Sequence, residues 1–390
     1  MDFRPGEEVE ALRQEVRAFV AEHVTAEMLD HMEHTGTIYD RDFSLAMGKR
    51  GWIASGWPVE EGGTGFTALQ QTVLGEELHR AQAPVDAGGT TMLVANTIRV
   101  LGTPEQKAAV LGPVARGEMN IALGYSEADS GSDVAAARTR AVRDGDEWVI
   151  DGEKMFTSLA QVSDAIFVLT RTNTEVPKHK GLTMFLVPIE TPGITVSEVK
   201  TLGGVRTNIT SYDNVRVPDS ARVGDVDGGW RVLALALEFE HAGGFGAEIE
   251  RVLQVAVEEA GKPADDGTRL LDDPTVRVRM ARIAIDVEVS RLLQMRSAWL
   301  SSVGKSAMSQ GPMAKLYSSE ALAEACSNLL EVFGPDGLRR EKGLGSSGLG
   351  VIEHTYRHSQ VTRIYAGTSE IQRSIIAERG LGLPRTRTAG

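Results

Sequence analysis

AIFVLT (165–170), LTMFLVPI (182–189), GITVSEV (193–199) and SYDNVRVP (211–218) are short apolar, β-branched runs in the middle of a 390-residue chain. Turn-forming residues separate them, and Trp148-Val149-Ile150 follows the turn signal Asp144-Gly145-Asp146. This texture predicts strands. Connections this short predict an antiparallel β-domain over residues 121–228. The flanks have a different period. Val9, Leu12, Val16, Phe19 and Val20 recur at helical spacing, as do Val276, Met280, Ile283 and Val287. Helical patterns also cover 230–260 and 313–333, while Gly51 to Gly65 (GWIASGWPVEEGGTG) reads as a glycine-rich loop. The pattern predicts an α+β fold: an N-terminal helical domain (1–120), a middle β-domain (121–228) and a C-terminal helical domain (229–390).

Composition narrows the partners. A formal charge of -13 argues against nucleic acid or an anionic membrane surface, although a local arginine cluster could still hold an anionic ligand. Cys326 is the single cysteine, which rules out a disulfide framework and a cysteine-based zinc site; it reads as a buried residue of an alanine-rich helix. No metal site is expected. The sequence has no run approaching the ~18 apolar residues of a membrane span. The charged, amphipathic start MDFRPGEEVEALRQEV is no signal peptide, so a cytoplasmic protein is expected.

Three segments could carry chemistry. YSEADSGSD (125–133) sets hydroxyls, small residues and acids between a helical region and a strand, and KMFTSL (154–159) places an aromatic before two hydroxyls. Each reads equally as a surface turn and a plain strand start. Near the C-terminus, RIYAGTSEIQRSIIAERGLGLP (363–384) leads through Gly367 into a helix that Thr368 could cap, with Glu370 in its first turn. Such a helix start offers unpaired N–H groups to an anion or a polarised oxygen. Glu240 shares a helical face with Leu233, Ala236, Leu237, Gly243, Gly244 and Ala247, whereas Glu238 points elsewhere. A carboxylate on a stripe of apolar and small residues would be desolvated and would become a stronger base once ionised. Most helical glutamates are simply solvated.

In order along the chain stand GWPVEEGGTG, YSEADSGSD, DGEKMFTS, YDNVRVP, LEFEH, FGPDGL and YAGTSEIQR. This ordered set resembles the acyl-CoA dehydrogenase family over nearly the whole length. The resemblance implies FAD and an acyl-CoA meeting between the β-domain and a C-terminal domain of four-helix type. It implies that Tyr125, Ser126, Gly131, Ser132, Phe156, Thr157 and Ser158 line the flavin, with Ser158 at the hydride-accepting ring nitrogen, and that Thr368 and Glu370 also contact FAD. Ser132, Leu237, His241 and Gly367 are expected to meet substrate. Many members carry their base immediately before the C-terminal Gly-Thr, where this chain has Ala366. Members resembling the isovaleryl-CoA and long-chain enzymes place it on the helix after the β-domain, at the position of Glu240. The resemblance therefore implies that Glu240 takes the α-proton, that the Ala366 N–H polarises the thioester carbonyl, and that electrons pass to electron-transfer flavoprotein.

Departures from the family pattern occur at His241, at Ala128-Asp129 within YSEADSGSD and at Glu331-Val332-Phe333-Gly334-Pro335. No Arg-x-x-Phe element is found around 260–275, where Lys262 and Arg269 are the basic candidates for the adenine half of FAD. A homotetramer or a heterotetramer with sites built across unlike subunits is expected. The competing readings are a flavin oxidase or monooxygenase of the same fold, an inert subunit, or a non-enzymatic helical scaffold.

Overall fold

The structure, a computed structural model, describes residues 6–239, 244–305, 308–339 and 348–384. Helices come first: α1 (Glu7–His23), α2 (Ala26–Thr35), α3 (Arg41–Lys49), α4 (Ala68–Arg80), α5 (Asp86–Leu101) and α6 (Pro104–Ala115). The whole predicted stripe of α1, from Val9 to Val20, is buried. Its Phe19 meets Trp52 edge-on at 5.1 Å between ring centres. The glycine-rich loop is tight enough to require glycine: a Cβ on Gly63 would fall 2.2 Å from the Trp57 carbonyl oxygen.

The middle region holds β1 (Ile121–Gly124), β2 (Arg140–Asp144), β3 (Glu147–Met155), β4 (Ala165–Arg171), β5 (Leu182–Pro188), β6 (Ile194–Lys200), β7 (Arg206–Pro218) and β8 (Arg222–Val223). The strand order is β6-β7-β3-β2-β4-β5-β8, with β1 beside β4. Most pairings are antiparallel, as expected, but β1 runs parallel to β4, with Ile121 opposite Ala165. One parallel bridge, Arg140 to Arg171, joins β2 to β4. Hydrophobic period fixes which face a residue takes and is silent on strand direction, which is why these two were not legible. The unbroken apolar run of β4 has a direct cause: both its faces are covered. Phe167 and Leu169 join the core shared with α5, α6 and α7, while Ile166 and Val168 join the core between the two halves of the sheet.

The chain continues as α7 (Gly229–Phe239), α8 (Gly246–Ala260), α9 (Pro274–Ser302), α10 (Gln310–Gly337), α11 (Leu349–Thr362) and α12 (Ser369–Ile375). The single helical pattern read over 230–260 is thus two helices. Helices α8 to α11 enclose one core containing Val252, Met280, Ile283, Leu322, Leu329 and Ile352. Cys326 is buried in it. Among the described residues, no helix is long and apolar enough to cross a membrane.

Ion pairs tie these layers together. Glu77 of α4, only 2% exposed, is gripped by Arg13 and Arg17 of α1 and by Arg80 of its own helix. Arg80 reaches on to Glu250 of α8 at 2.5 Å. Burial pushes the Glu77 carboxyl up, yet the hydrogen bonds from Arg17 and Arg13 and the charge of Arg80 outweigh it and leave it below its ordinary value of 4.5. Because the folded value lies below the unfolded one, the stabilisation is complete above about pH 4.5 and is lost as pH falls through the lowered value. Glu77→Gln should therefore cost about 1–3 kcal/mol at neutral pH, by removing the charge-assisted bonds that Arg13, Arg17 and Arg80 make to one buried carboxylate. Its thermal midpoint should also depend less steeply on pH below 4.5 than that of the unaltered protein; identical acid limbs would contradict this.

Candidate active site

The first motif forms a pinned lip on the β-domain. Tyr125 follows β1 directly and packs its ring against Phe167 of β4 at 6.2 Å. The carbonyl of Ser126 accepts from the Met155 N–H at 2.9 Å. Glu127 and Ser130 exchange backbone hydrogen bonds, which closes a tight turn and leaves Gly131 and Ser132 exposed at its tip. Beneath the turn, the fully buried Lys154 donates to Glu127 at 2.7 Å and to the Tyr125 carbonyl at 3.3 Å. Burial pushes the Lys154 ammonium down to about 8, against the pull of Glu127. Sequence reading quoted Lys154 only as part of a strand entry and missed this role; a lysine among strand residues carries no signal that it will be buried.

The second motif continues from the same lysine. Phe156 sits at a φ of +64° with its ring 57% exposed, and Leu159 adopts φ +64° as well. Left-handed backbone at non-glycine residues costs energy and recurs at ligand sites. Thr157 is buried and its hydroxyl meets Thr210 at 3.1 Å, so it braces the strand rather than facing outward. Ser158 is exposed and its hydroxyl lies 2.9 Å from Thr207 at the start of β7.

The turn joining β6 to β7 docks on the helical domain, where Arg357 of α11 donates to the Leu202 carbonyl at 2.7 Å. The next residue of α11, His358, lies 6.4 Å from the ring of Tyr365, and Phe245 lies 6.2 Å from it on another side. Tyr365 leads directly into the third motif. There Ala366 takes φ +52° and Gly367 φ +80°. Their carbonyls are held: Gln372 donates to Ala366 at 2.7 Å and Lys315 to Gly367 at 2.7 Å. The Ala366 N–H forms no hydrogen bond within the described residues. Thr368 caps α12 by accepting from the Ile371 N–H at 3.3 Å. Glu370 is exposed in the first turn, where its own backbone N–H and Thr368 hold its carboxyl below the ordinary value.

Between the N-terminal and C-terminal helices lies a cavity of about 770 Å³, walled by residues of α3, α4, α5, α8 and α9. Glu240 and His241 fall outside the described residues. Their described flanks, Glu238 and Gly244, both line this cavity. Glu238 is exposed at the cavity wall, while Leu233 and Ala236 of the same helix are buried in the main core. Leu237, expected to touch substrate, is partly buried and packs against that core.

Among the described residues, the buried hydroxyls of Ser130 and Ser369 and the buried side-chain oxygen of Gln372 have no hydrogen-bond partner. The rings of Phe156 and Tyr365 are exposed, the latter 41%. A planar ring with polar edges matches this set: flat apolar cover from the aromatics, and hydrogen-bond partners from Ser126, Ser158 and Thr368. The adenine candidates do not share that character. Lys262 pairs with Glu259 and Arg269 with Asp272, each three residues away and exposed.

Comparison with known proteins agrees with this arrangement. The acyl-CoA dehydrogenase N-terminal domain matches residues 6–118, the middle domain 122–215 and the C-terminal domain 227–381. The acyl-CoA dehydrogenase FadE26 of Mycobacterium tuberculosis is 36% identical over 96% of this chain and 97% of its own length. The Tcur3481-Tcur3483 steroid ACAD is similar at a TM-score of 0.90 and 34% identity, covering 99% of this chain and 100% of that one. The ChsE4-ChsE5 complex from Mycobacterium tuberculosis gives the same TM-score, identity and coverage. With helical, β-sheet and helical domains in the family's order, and relatives named as dehydrogenases rather than oxidases or scaffolds, the chain belongs to the acyl-CoA dehydrogenase family, flavin-dependent oxidoreductases acting on acyl-CoA thioesters.

Proposed function

We propose that the protein binds FAD between the β-domain lip and the Ala366 turn and oxidises a bulky, polycyclic acyl-CoA to its trans-2-enoyl form, with Glu240 as the base. The observation that carries the reading is the position of both flanks of Glu240, Glu238 and Gly244, on the wall of the 770 Å³ cavity. That volume is in the upper part of the ~300–1,000 Å³ range of ligand pockets, which favours a large acyl group over a short chain. The steroid description of one structural relative supports the same class.

A thioester α-proton is weakly acidic, so its removal needs a base and a donor that stabilises the enolate oxygen together. Glu240 takes the proton, a step worth about 10²–10⁴-fold from a positioned base. The free N–H of Ala366 donates to the carbonyl oxygen, and its bound neighbours keep it from turning away; one such preorganised donor is worth about 3–4 kcal/mol. Gly367 leaves room beside that oxygen. Ser126, Ser158, Thr368 and Glu370 hold and orient the cofactor, Phe156 covers it, and Ser132 reaches the CoA portion. FAD supplies the two-electron acceptor for the β-hydrogen, and electrons then go to electron-transfer flavoprotein.

Lys262 and Arg269 are engaged in local pairs, which supports an adenine half held by another subunit, and we take that subunit to be an unlike partner in a heteromer. The two-component names of the structural relatives favour the same arrangement.

In activity assays with an acyl-CoA and electron-transfer flavoprotein, Glu240→Gln should lower kcat by at least ~10²-fold with FAD content unchanged. Glu238→Gln should stay within about tenfold of the parent; the reverse ranking would move the base to Glu238. Ala366→Gly keeps both the N–H and the positive φ, so its kcat should stay within a few-fold of the parent, and a collapse would show that the methyl group matters. Expressed alone, the chain should retain less than stoichiometric FAD and gain it with a partner subunit; a fully flavinylated homotetramer would contradict the heteromer.

A further inference from the structure

Helix α7 runs outward from the cavity. Trp230, Ala234 and Glu238 stand at intervals of four, so they share one helical face, and all three are exposed. Glu238 is on the cavity wall. Trp230 lies eight residues back, about 12 Å along the axis, and is 40% exposed. The ring of His179 lies 6.5 Å from it, in the helical turn Lys178–Lys180, whose three residues are all exposed. Lys178 pairs with Asp133, the neighbour of Ser132, at 2.5 Å; both ends of that pair are more than half exposed, so it is solvated and weak. Lys180 forms no ion pair among the described residues.

The backbone under this surface is fixed. Arg171 of β4 donates to the carbonyl of Lys178 and, at 2.5 and 3.3 Å, to those of Ala135 and Ala137, so one guanidinium locks the basic turn to the segment that follows Ser132. Thr172 and Asn173 donate to Asp227 at 2.5 and 3.2 Å, which pins the entry to α7. A Cβ on Gly229 would come within 2.8 Å of the Leu182 backbone, so Trp230 is carried on chain pressed against β5. At a formal charge of -13 the chain as a whole repels anions, and attraction for a phosphate has to be local. A held tryptophan flanked by solvated lysines suits a flat aromatic ligand that carries phosphate.

We infer that Trp230 and the Lys178–Lys180 turn hold the nucleotide end of the CoA thioester, the indole stacking on the adenine and Lys178 and Lys180 bonding to the ribose 3′-phosphate. The inference rests on the acyl-CoA reading and places a recognition site outside the acyl cavity. The acyl group lies at the inner end of α7 and the nucleotide at its outer end, with Ala234 adding little bulk between them. Stacking accepts any flat base, so it supplies affinity, whereas the two lysines tell CoA from its 3′-dephospho form. These contacts are the same in ground and transition states, so they act on KM and leave kcat alone.

The test measures the calorimetric affinity of the flavin-loaded enzyme for CoA and for 3′-dephospho-CoA. The parent should bind CoA at least ~5-fold more tightly, a preference that shrinks as salt rises. Lys178→Ala combined with Lys180→Ala should remove that preference without changing affinity for the dephospho form. Trp230→Ala should weaken both ligands alike by at least ~5-fold, and Trp230→Phe should restore most of the loss. In each weakened variant KM for an acyl-CoA rises while kcat and FAD content hold. Equal affinity of the parent for the two ligands overturns the phosphate contact, and undiminished affinity in Trp230→Ala overturns the stacking. A parent that binds neither ligand sinks the acyl-CoA reading along with the subsite. Selective binding of CoA without oxidation of any acyl-CoA keeps the subsite and sinks the dehydrogenase reading alone.

Discussion

The account depends on one backbone turn. Ala366 and Gly367 both stand in the left-handed region, which an alanine adopts only when its surroundings insist. Gln372 and Lys315 supply that insistence by holding the two carbonyls, and the cap of Thr368 fixes where α12 begins. With the carbonyls held, the Ala366 N–H keeps no partner among the described residues. Lys315 comes from α10, so the turn is set by the four-helix core and not by its own short loop.

A second buried cation performs the matching task on the β-domain. Lys154 draws in Glu127 and the Tyr125 carbonyl, joining the lip motif to the strand that presents Phe156 and Ser158. The β6–β7 turn is itself docked on α11 through Arg357. The Glu77 network does the equivalent for the cavity wall, linking α1, α4 and α8. In each case an ion or amide removed from water ties elements distant in sequence, so the site's geometry is as stiff as the cores that flank it.

Much of the fold was legible because hydrophobic period is set by burial. The stripes of α1 and α9, the strands at 165–170 and 182–189, buried Cys326 and the Thr368 cap all follow from it. Strand direction did not follow, since β1 and β4 pair across two intervening helical turns and two strands. The cavity wall was the least legible part. An amphipathic pattern separates apolar from polar faces but does not reveal that Glu238, Glu76 and Gln294, from three different helices, share the wall of one cavity.

The central claim is that a carboxylate between Glu238 and Gly244 removes the α-proton of a thioester whose oxygen rests on the Ala366 N–H. Its most direct measurement is hydrogen exchange in heavy water, followed by NMR, at the α-carbon of an acyl-CoA with sulfur in place of the β-methylene. Such a compound can lose its α-proton but cannot surrender a β-hydride. The account predicts catalysed α-exchange by the flavin-loaded enzyme and none above background in Glu240→Gln. Exchange that persists undiminished in that variant would contradict it.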